Sequence, residues 1–137
     1  MTLEIERRFL INNDDWKKYT THKTFIKQGY FATDTNEWII RIRSENEKFK
    51  ITLKKHISSF TNYEFEYEIP RKEGEVMISK LSNTISKERF YLLINKKSWV
   101  VDIFKGKNYP LEIAEIELVC EEEKIDIPTF VSKEITG

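Results

Sequence analysis

Charged residues of one sign alternate with other residues, most of them apolar, in six short segments of this chain. Three segments are acidic and three are basic: Glu4/Glu6, Glu64/Glu66/Glu68, Glu115/Glu117, Arg41/Arg43, Lys50/Lys54 and Lys87/Arg89. Because successive side chains of a β-strand point to opposite faces, each segment predicts a strand with like charges on one face and apolar residues on the other. A water-facing sheet ordinarily mixes the two signs, since like charges on one face repel. The segregation by sign therefore favours a site for a divalent metal and phosphate oxygens.

The composition indicates one domain with no overall attraction to polyanions. The 137 residues are 39% hydrophobic and 34% charged, and 23 Lys and Arg balance 23 Asp and Glu. This balance predicts that neither nucleic acid nor a membrane surface is a partner. A single Cys, no apolar leader and no apolar run approaching the roughly 18 residues that span a bilayer predict a cytoplasmic protein. We expect a single domain over residues 1–137.

Strand-like runs dominate the chain and predict a mainly β fold. There are eight of them, at residues 3–11, 24–32, 37–44, 48–55, 63–70, 88–94, 99–105 and 111–120. Short turn signals between the runs favour hairpins and an antiparallel sheet. Two helices are expected outside the sheet, at 14–19 with Asn13 as its cap and at 73–81. Eight strands are enough to close a barrel, so we predict an eight-stranded antiparallel β-barrel tunnel with a charged lumen.

A charged inner face reverses the usual arrangement of a small barrel, which is apolar inside. Unpaired buried charges cost several kcal/mol each, so the lumen must be wet, internally paired, or filled by an ion and its ligand. The apolar face then points outward, and the two helices cover only part of it. We expect the remainder to form a homodimer contact. The residues of this outer face are Ile5, Phe9, Ile40, Ile42, Phe65, Tyr67, Val101, Ile103, Ile116 and Leu118.

The first strand resembles the ExExK strand that opens the CYTH family, also called triphosphate tunnel metalloenzymes. Further segments are similar to successive motifs of that family: Gln28-Gly-Tyr30, Arg41-Ile-Arg43, Ile51-Thr-Leu-Lys54, Glu64-Phe-Glu66, Lys87-Glu-Arg89, Asp102-Ile-Phe104, Ala114-Glu-Ile-Glu-Leu118 and Glu134-Ile-Thr136. Each motif alone is weak, but their order over nearly the whole chain is specific. The resemblance implies an eight-stranded tunnel whose members hydrolyse inorganic triphosphate, thiamine triphosphate or RNA 5′-triphosphate ends, or cyclise ATP. Small bacterial members mostly favour inorganic triphosphate.

The same resemblance implies a metal site and a phosphate site. One or two Mg²⁺ or Mn²⁺ ions would be held by Glu4, Glu6, Glu64, Glu66, Asp102, Glu115 and Glu117. The three phosphates would be bound by Arg41, Arg43, Lys54, Lys87 and Arg89. Hard cations prefer carboxylate and water oxygens, and phosphoryl transfer depends mainly on positioning and electrostatics. The base that deprotonates the attacking water is left open between Glu64 and the metal itself. We expect Lys50 and Glu68 to be solvated or structural.

One position departs from the family motif. Arg8 stands where the family places Lys, which keeps the charge but replaces a compact ammonium with a wider, permanently protonated fork. Tyr30 resembles the tyrosine that small triphosphatase members pair with that Lys. We therefore assign Arg8 to substrate binding, and Arg8, Tyr30 and Glu64 to catalysis.

Three other functions stay open beside the hydrolysis of inorganic triphosphate. A thiamine triphosphatase needs an aromatic or apolar contact at the tunnel mouth, for which Trp38 is a candidate. An adenylate cyclase of the class IV type needs additional elements that hold adenine and ribose. A non-catalytic polyphosphate-binding module would tolerate the loss of metal-ligand carboxylates, whereas all seven are present.

Overall fold

The computed structural model describes residues 2–35 and 37–136, and most of these lie in β-strands. The strands are β1 (Leu3–Ile11), β2 (Thr20–Tyr30), β3 (Trp38–Glu45), β4 (Lys48–Ser58), β5 (Thr61–Ile69), β6 (Asn83–Ile94), β7 (Lys97–Phe104), β8 (Glu112–Glu117) and β9 (Val131–Glu134). The described part also contains one α-helix, α1 (Arg71–Ser79), and two 3₁₀ turns, Asp15–Tyr19 and Gly106–Asn108. No helix in these ranges is both long and apolar enough to cross a membrane.

Eight of the strands form a closed barrel. They are hydrogen-bonded in the order β5-β4-β3-β2-β6-β7-β8-β1, and β1 pairs back with β5. This closing pair aligns Leu3 with Tyr63 and Ile5 with Thr61, and it is antiparallel like the others in the barrel. The predicted eight-stranded antiparallel barrel is therefore confirmed. Closure pairs the strand edges that an open sheet would expose.

The ninth strand, β9, lies beside β1 beyond the point where β5 ends its pairing. β5 follows β1 only to Ile5, whereas β9 pairs with Phe9 and Ile11. Between these two stretches, the Ile135 N–H donates to the Arg8 carbonyl at 2.8 Å. The sequence pattern did not predict β9, because four residues are too few for an alternation to mark a strand.

Two strands begin well before their predicted ranges. β2 begins at Thr20 rather than at 24, and β6 begins at Asn83 rather than at 88. The two strands pair with each other over almost their full lengths, from Thr20 with Leu92 to Tyr30 with Asn83. Their ends are thus set by the partner strand, which a local pattern cannot report.

The predicted helices are present with altered bounds or type. The predicted 73–81 helix is α1, which begins directly after Pro70 and ends at Ser79. The predicted 14–19 helix is a 3₁₀ turn, and the Asn13 side-chain oxygen accepts a hydrogen bond from the Asp15 N–H at 2.9 Å. A segment this short gains little from α-helical bonds, because nucleation is costly.

Segments of the chain itself cover much of the outer apolar face. Near β9, Trp16 of the 3₁₀ turn and Phe130 pack on the outer side of β1, β7 and β8. On the other side, Ile78 of α1 packs against Ile42 and Phe49. The residues around Phe130 thus provide a cover that the two predicted helices did not. The homodimer contact and the single domain over residues 1–137 stay predictions.

Candidate functional site

The charged faces of the strands line the inside of the barrel. Contacts between strands that are not neighbours in the sheet demonstrate this. Lys54 of β4 reaches Glu4 of β1 at 2.9 Å, although β5 lies between these strands. Arg89 of β6 likewise lies 3.8 Å from Glu115 of β8, across β7. Such contacts are geometrically accessible only through the lumen, so the predicted charged lumen is confirmed.

Three of the predicted metal ligands come together on one wall of the lumen. Glu4, Glu64 and Glu117, from β1, β5 and β8, each offer a carboxylate oxygen, and these atoms lie within 4.8 Å of one another. Glu4 is buried and Glu117 is exposed. Oxygen donors from three rigid strands at this spacing fit the preference of a hard divalent cation for carboxylates. We call these three residues the carboxylate trio.

Repulsion among acidic groups extends from the trio to its neighbours. Burial, reinforced by the charges of Glu115 and Glu4, raises the pKa of Glu6 to about 8. Burial and the charge of Glu4 also raise the pKa of Glu64, and burial and Glu4 do the same for the pKa of Glu117. Acids crowded in this way bind protons more readily, and a divalent cation at the same place would offset the repulsion.

Lys54, which the resemblance assigned to phosphate, lies among these carboxylates. Its ammonium is 3.0 and 2.9 Å from the two oxygens of Glu4 and 3.5 Å from an oxygen of Glu64. The Asn62 amide also donates to Glu4, at 3.4 Å. Burial acts to raise the pKa of Glu4, but the charge and hydrogen bonds of Lys54 hold it below its usual value.

A second group, on strands β6 and β7, is built around Asp102. Arg89 binds both oxygens of this fully buried carboxylate, with distances of 2.8 and 2.9 Å, and the Lys87 ammonium lies 2.7 Å from one of them. Asp102 is therefore already bonded to two cations of the predicted phosphate site.

Cations are crowded around this second group. Burial and the charges of Arg41 and Arg89 lower the pKa of Arg43 to about 10. Burial likewise lowers the pKa of Lys87 to about 8, although Asp102 acts in the opposite direction. Burial and mutual repulsion disfavour the charged forms of these cations. Such a cluster is a preorganised binding environment for a polyanion.

Glu66 connects the two groups. It lies 3.9 Å from Arg41 and 3.7 Å from Lys50, and it accepts a hydrogen bond from the Thr52 hydroxyl at 2.8 Å. Lys50 is the most exposed of these side chains, at 46%. Each of the predicted metal ligands Glu4, Glu64, Glu66, Asp102 and Glu115 thus lies within 4 Å of a cation.

Arg8 and Tyr30 complete the predicted set. Arg8 is half-buried opposite Glu115 in the pairing of β1 with β8, and its charge counteracts the rise in the pKa of Glu6. The Tyr30 hydroxyl is 2.5 Å from the Gln28 amide nitrogen, and the Gln28 carbonyl oxygen accepts from Arg43. A pairing of Tyr30 with Arg8 stays a prediction.

Known proteins share this arrangement of the chain. The CYTH domain family model matches residues 2–136. The chain belongs to the CYTH domain family. It is 33% identical over its full length to an inorganic triphosphatase from Acetivibrio thermocellus, covering 88% of that protein. It is 26% identical to one from Nitrosomonas europaea, with 97% of this chain and 89% of the relative covered. A solved structure described as the inorganic triphosphatase NE1496 superposes with a TM-score of 0.70 at 25% identity, covering 97% of this chain and 89% of that one.

Neutral residues of this CYTH domain hold the charged ones in place, and the charge pattern did not reveal them. Gln28 binds Arg43, Thr52 binds Glu66 and Asn62 binds Glu4. Gln28 occurs in a segment that resembles a family motif, but alternation of charge carries no information on amides or hydroxyls. The signal that could have located Thr52 and Asn62 is their spacing of two residues from Lys54 and Glu64 on the same strand faces.

A cavity of about 280 Å³ opens beside the β3–β4 hairpin. Glu45 in its wall accepts hydrogen bonds from the hydroxyls of Tyr91 and Thr24. None of these three residues was among the predicted site residues, since each lacks the repeated charge. The cavity is lined by Arg43, Glu45, Asn46, Lys48, Lys50 and Tyr91.

Trp38 does not face the lumen. It lies on the opposite face of β3 from Arg41 and Arg43, where its ring is 6.4 Å from that of Phe65 and below the Lys55 ammonium. An odd spacing along a strand reverses the face, which places Trp38 outside the lumen. A contact of Trp38 with thiamine at the tunnel mouth stays a prediction.

Proposed function

We propose that this CYTH domain hydrolyses inorganic triphosphate to pyrophosphate and phosphate, with Mg²⁺ or Mn²⁺ as one or two ions. The observation that carries the proposal is the division of the lumen into a carboxylate trio and a separate group of crowded cations. A metal-bound polyphosphate needs both surfaces at once. The relatives named inorganic triphosphatases, which align over nearly the whole chain, support the same substrate.

The cations bind and orient the phosphates in this proposal. Arg41, Arg43, Lys87 and Arg89 lie together, and burial, with a further contribution from mutual repulsion, lowers the pKa values of Arg43 and Lys87. A bound polyanion would relieve the repulsion. Phosphoryl transfer gains most of its rate from positioning and from such electrostatic stabilisation. Arg8, on β1, adds a bidentate fork for the terminal phosphate.

The carboxylates bind the metal and move the proton. Glu4, Glu64 and Glu117 would hold the ion, with Glu6, Glu66, Asp102 and Glu115 as the further proposed ligands. When bound, the metal polarises phosphate oxygens and lowers the pKa of coordinated water. Glu64, beside the ion, accepts the proton of the attacking water in this proposal. The water oxygen bonds to the terminal phosphorus as the bridging P–O bond breaks and pyrophosphate leaves.

The other functions have less support. Trp38, the candidate aromatic contact for thiamine at the tunnel mouth, lies on the outer face of β3, so it provides no aromatic surface inside the lumen. A cyclase would need a surface for adenine, and a pure binding module would not need the crowded carboxylate trio. Inorganic triphosphate needs only the charged surfaces that this lumen has.

The test is phosphate release from inorganic triphosphate, ATP and thiamine triphosphate, each with Mg²⁺ or Mn²⁺. We expect selective cleavage of inorganic triphosphate and a loss of roughly 100-fold or more in kcat/KM for Glu4→Gln. Glu88→Gln is the matched control, since Glu88 pairs with Lys23 and Lys105 on the outer face of β6. The control should retain wild-type activity.

Three results would contradict the proposal. Preferential cleavage of thiamine triphosphate would change the substrate, and release of cyclic AMP from ATP would change the reaction class. Absence of any cleavage in the wild type, together with gain of activity in Arg8→Lys, would mean that the arginine has disabled the site.

A further inference from the structure

Lys54 differs from the other proposed phosphate-binding cations in its surroundings. Its ammonium contacts both oxygens of Glu4 and one oxygen of Glu64. The side chains of Lys54 and Glu4 are only 13% and 9% exposed, so water screens this pair weakly. Lys54 therefore holds two carboxylates of the proposed metal site through close ion pairs.

The oxygens that Lys54 engages belong to the carboxylate trio. Glu4 and Glu64, with Glu117, are the residues whose oxygens lie within 4.8 Å of one another. An ammonium and a divalent ion draw on the same oxygen lone pairs, and the two cations repel each other strongly in a partly buried site. They cannot both occupy the space between Glu4 and Glu64.

We infer that Lys54 is a positioning residue that holds the metal-binding carboxylates together until a divalent ion displaces its ammonium from Glu4. The inference rests on the proposed function, from which the metal is taken. The displaced ammonium stays close to the lumen and needs a new anion, and a phosphate oxygen of the substrate supplies one. In the absence of triphosphate, the metal must displace the Lys54 ammonium, so its affinity is lower than the carboxylate trio alone would give. The metal and triphosphate then each raise the affinity of the protein for the other.

Lys50 provides a matched control on the same strand. It lies on the same face of β4 four residues from Lys54, but it is half exposed, and its ammonium is 3.7 Å from Glu66 rather than within the trio. Removing Lys50 deletes an equal charge from the same lumen without freeing Glu4 or Glu64. Comparing the Lys54 and Lys50 variants separates the effect of freeing Glu4 and Glu64 from the effect of removing one positive charge from the lumen.

The experiment is a calorimetric titration of Mn²⁺ into protein without triphosphate, at pH 8.5. At this pH few protons compete with Mn²⁺ for the carboxylates. The precaution is needed because the loss of Lys54 also removes the charge that lowers the pKa of Glu4. We expect the Kd for Mn²⁺ to fall about tenfold or more in Lys54→Met. In Lys54→Arg, which keeps the charge, and in Lys50→Met, it should stay within about threefold of the wild type.

A Lys54→Met protein that is folded and binds Mn²⁺ no more tightly than the wild type would overturn the inference. If that variant fails to fold, a second measurement uses the wild type. The ¹⁵N resonance of the Lys54 ammonium should shift as Mg²⁺ is added. An unchanged resonance at Mg²⁺ saturation would also overturn the inference. Phosphate release is measured separately. Tighter Mn²⁺ binding by Lys54→Met combined with no cleavage of triphosphate by the wild type would contradict the proposed function and leave the inference standing.

Discussion

Asp102 has no exposed surface, and both of its oxygens are bonded to cations. Replacing it by Asn leaves Lys87 and Arg89 buried without a full counter-charge, so we expect Asp102→Asn to lower the free energy of unfolding by about 3–5 kcal/mol. Urea unfolding at pH 7 measures this loss. Glu88→Gln, which removes a carboxylate paired at the surface, should cost less than about 1 kcal/mol. An equal effect of the two substitutions would mean that other anions compensate Lys87 and Arg89.

Glu6 makes the stability of the metal-free protein depend on pH. Its pKa is about 8 in the folded state, against 4.5 for an unperturbed Glu, so between these values the folded state keeps a proton that the unfolded chain has released. The free energy of unfolding therefore falls as pH rises through this window. Gln cannot ionise, so Glu6→Gln should gain stability over the wild type between pH 5 and pH 8, by a few kcal/mol at pH 8.

Urea unfolding in EDTA at pH 5, 6.5 and 8 measures this gain. Lys87 sets the upper limit of the useful range, because its pKa is about 8 when folded and 10.5 when unperturbed, which makes stability rise with pH above 8. A constant difference between Glu6→Gln and the wild type across the three pH values would contradict the expected role of Glu6.

The strand faces on which the charged residues lie could be predicted from the sequence, but the contacts between these residues could not. Alternation fixes the face of a strand on which Glu4 or Lys54 lies, and this part of the prediction is confirmed by their contact across the lumen. Which charge meets which depends on the shear of the closed barrel, and no local pattern encodes it. For this reason Lys54 was expected among phosphates rather than beside the carboxylate trio.

Among the elements, α1 lies so close to β4 that a side chain does not fit between them. A Cβ added at Gly74 would approach Phe49 atoms to 2.5 Å. Ala usually stabilises a helix relative to Gly by about 1 kcal/mol, but here the contact with Phe49 should reverse the sign. We expect Gly74→Ala to destabilise the protein by about 1–3 kcal/mol, measured as a shift of the urea midpoint.

Glu75→Ala is the control for this prediction. Glu75 is exposed on the same helix and pairs with Arg71, so its replacement should change stability by less than about 0.5 kcal/mol. Stabilisation by Gly74→Ala would show that α1 can move away from Phe49 at little cost.

Some strands were predicted nearly to their ends, and elements defined by their partners were not. β1 and β4 match their predicted ranges to within three residues, because charged residues alternate with apolar ones along part of each strand. The first residues of β2 and the whole of β9 are strands through pairing with β6 and β1. Such tertiary contacts outweigh weak local preference.

Over the whole molecule, the equality of 23 basic and 23 acidic residues has a counterpart inside the barrel. Of the three conditions under which a charged lumen is tolerated, the structure displays internal pairing: Lys54 with Glu4, and Lys87 and Arg89 with Asp102. Ion pairing lowers the free-energy cost of burying these charges. The same carboxylates and cations are the groups that would bind a metal and a polyphosphate.

The position of β1 has a consequence for how the molecule assembles. It is the first of the barrel strands in chain order, and its hydrogen-bonding partners β5, β8 and β9 are made progressively later. Pairings between such distant segments are entropically costly to close and slow to form. Glu4 and Glu117 can meet only after β8 has been synthesised, so the carboxylate trio cannot form before that point. A nascent chain gains this binding site only when almost all of its barrel has been synthesised.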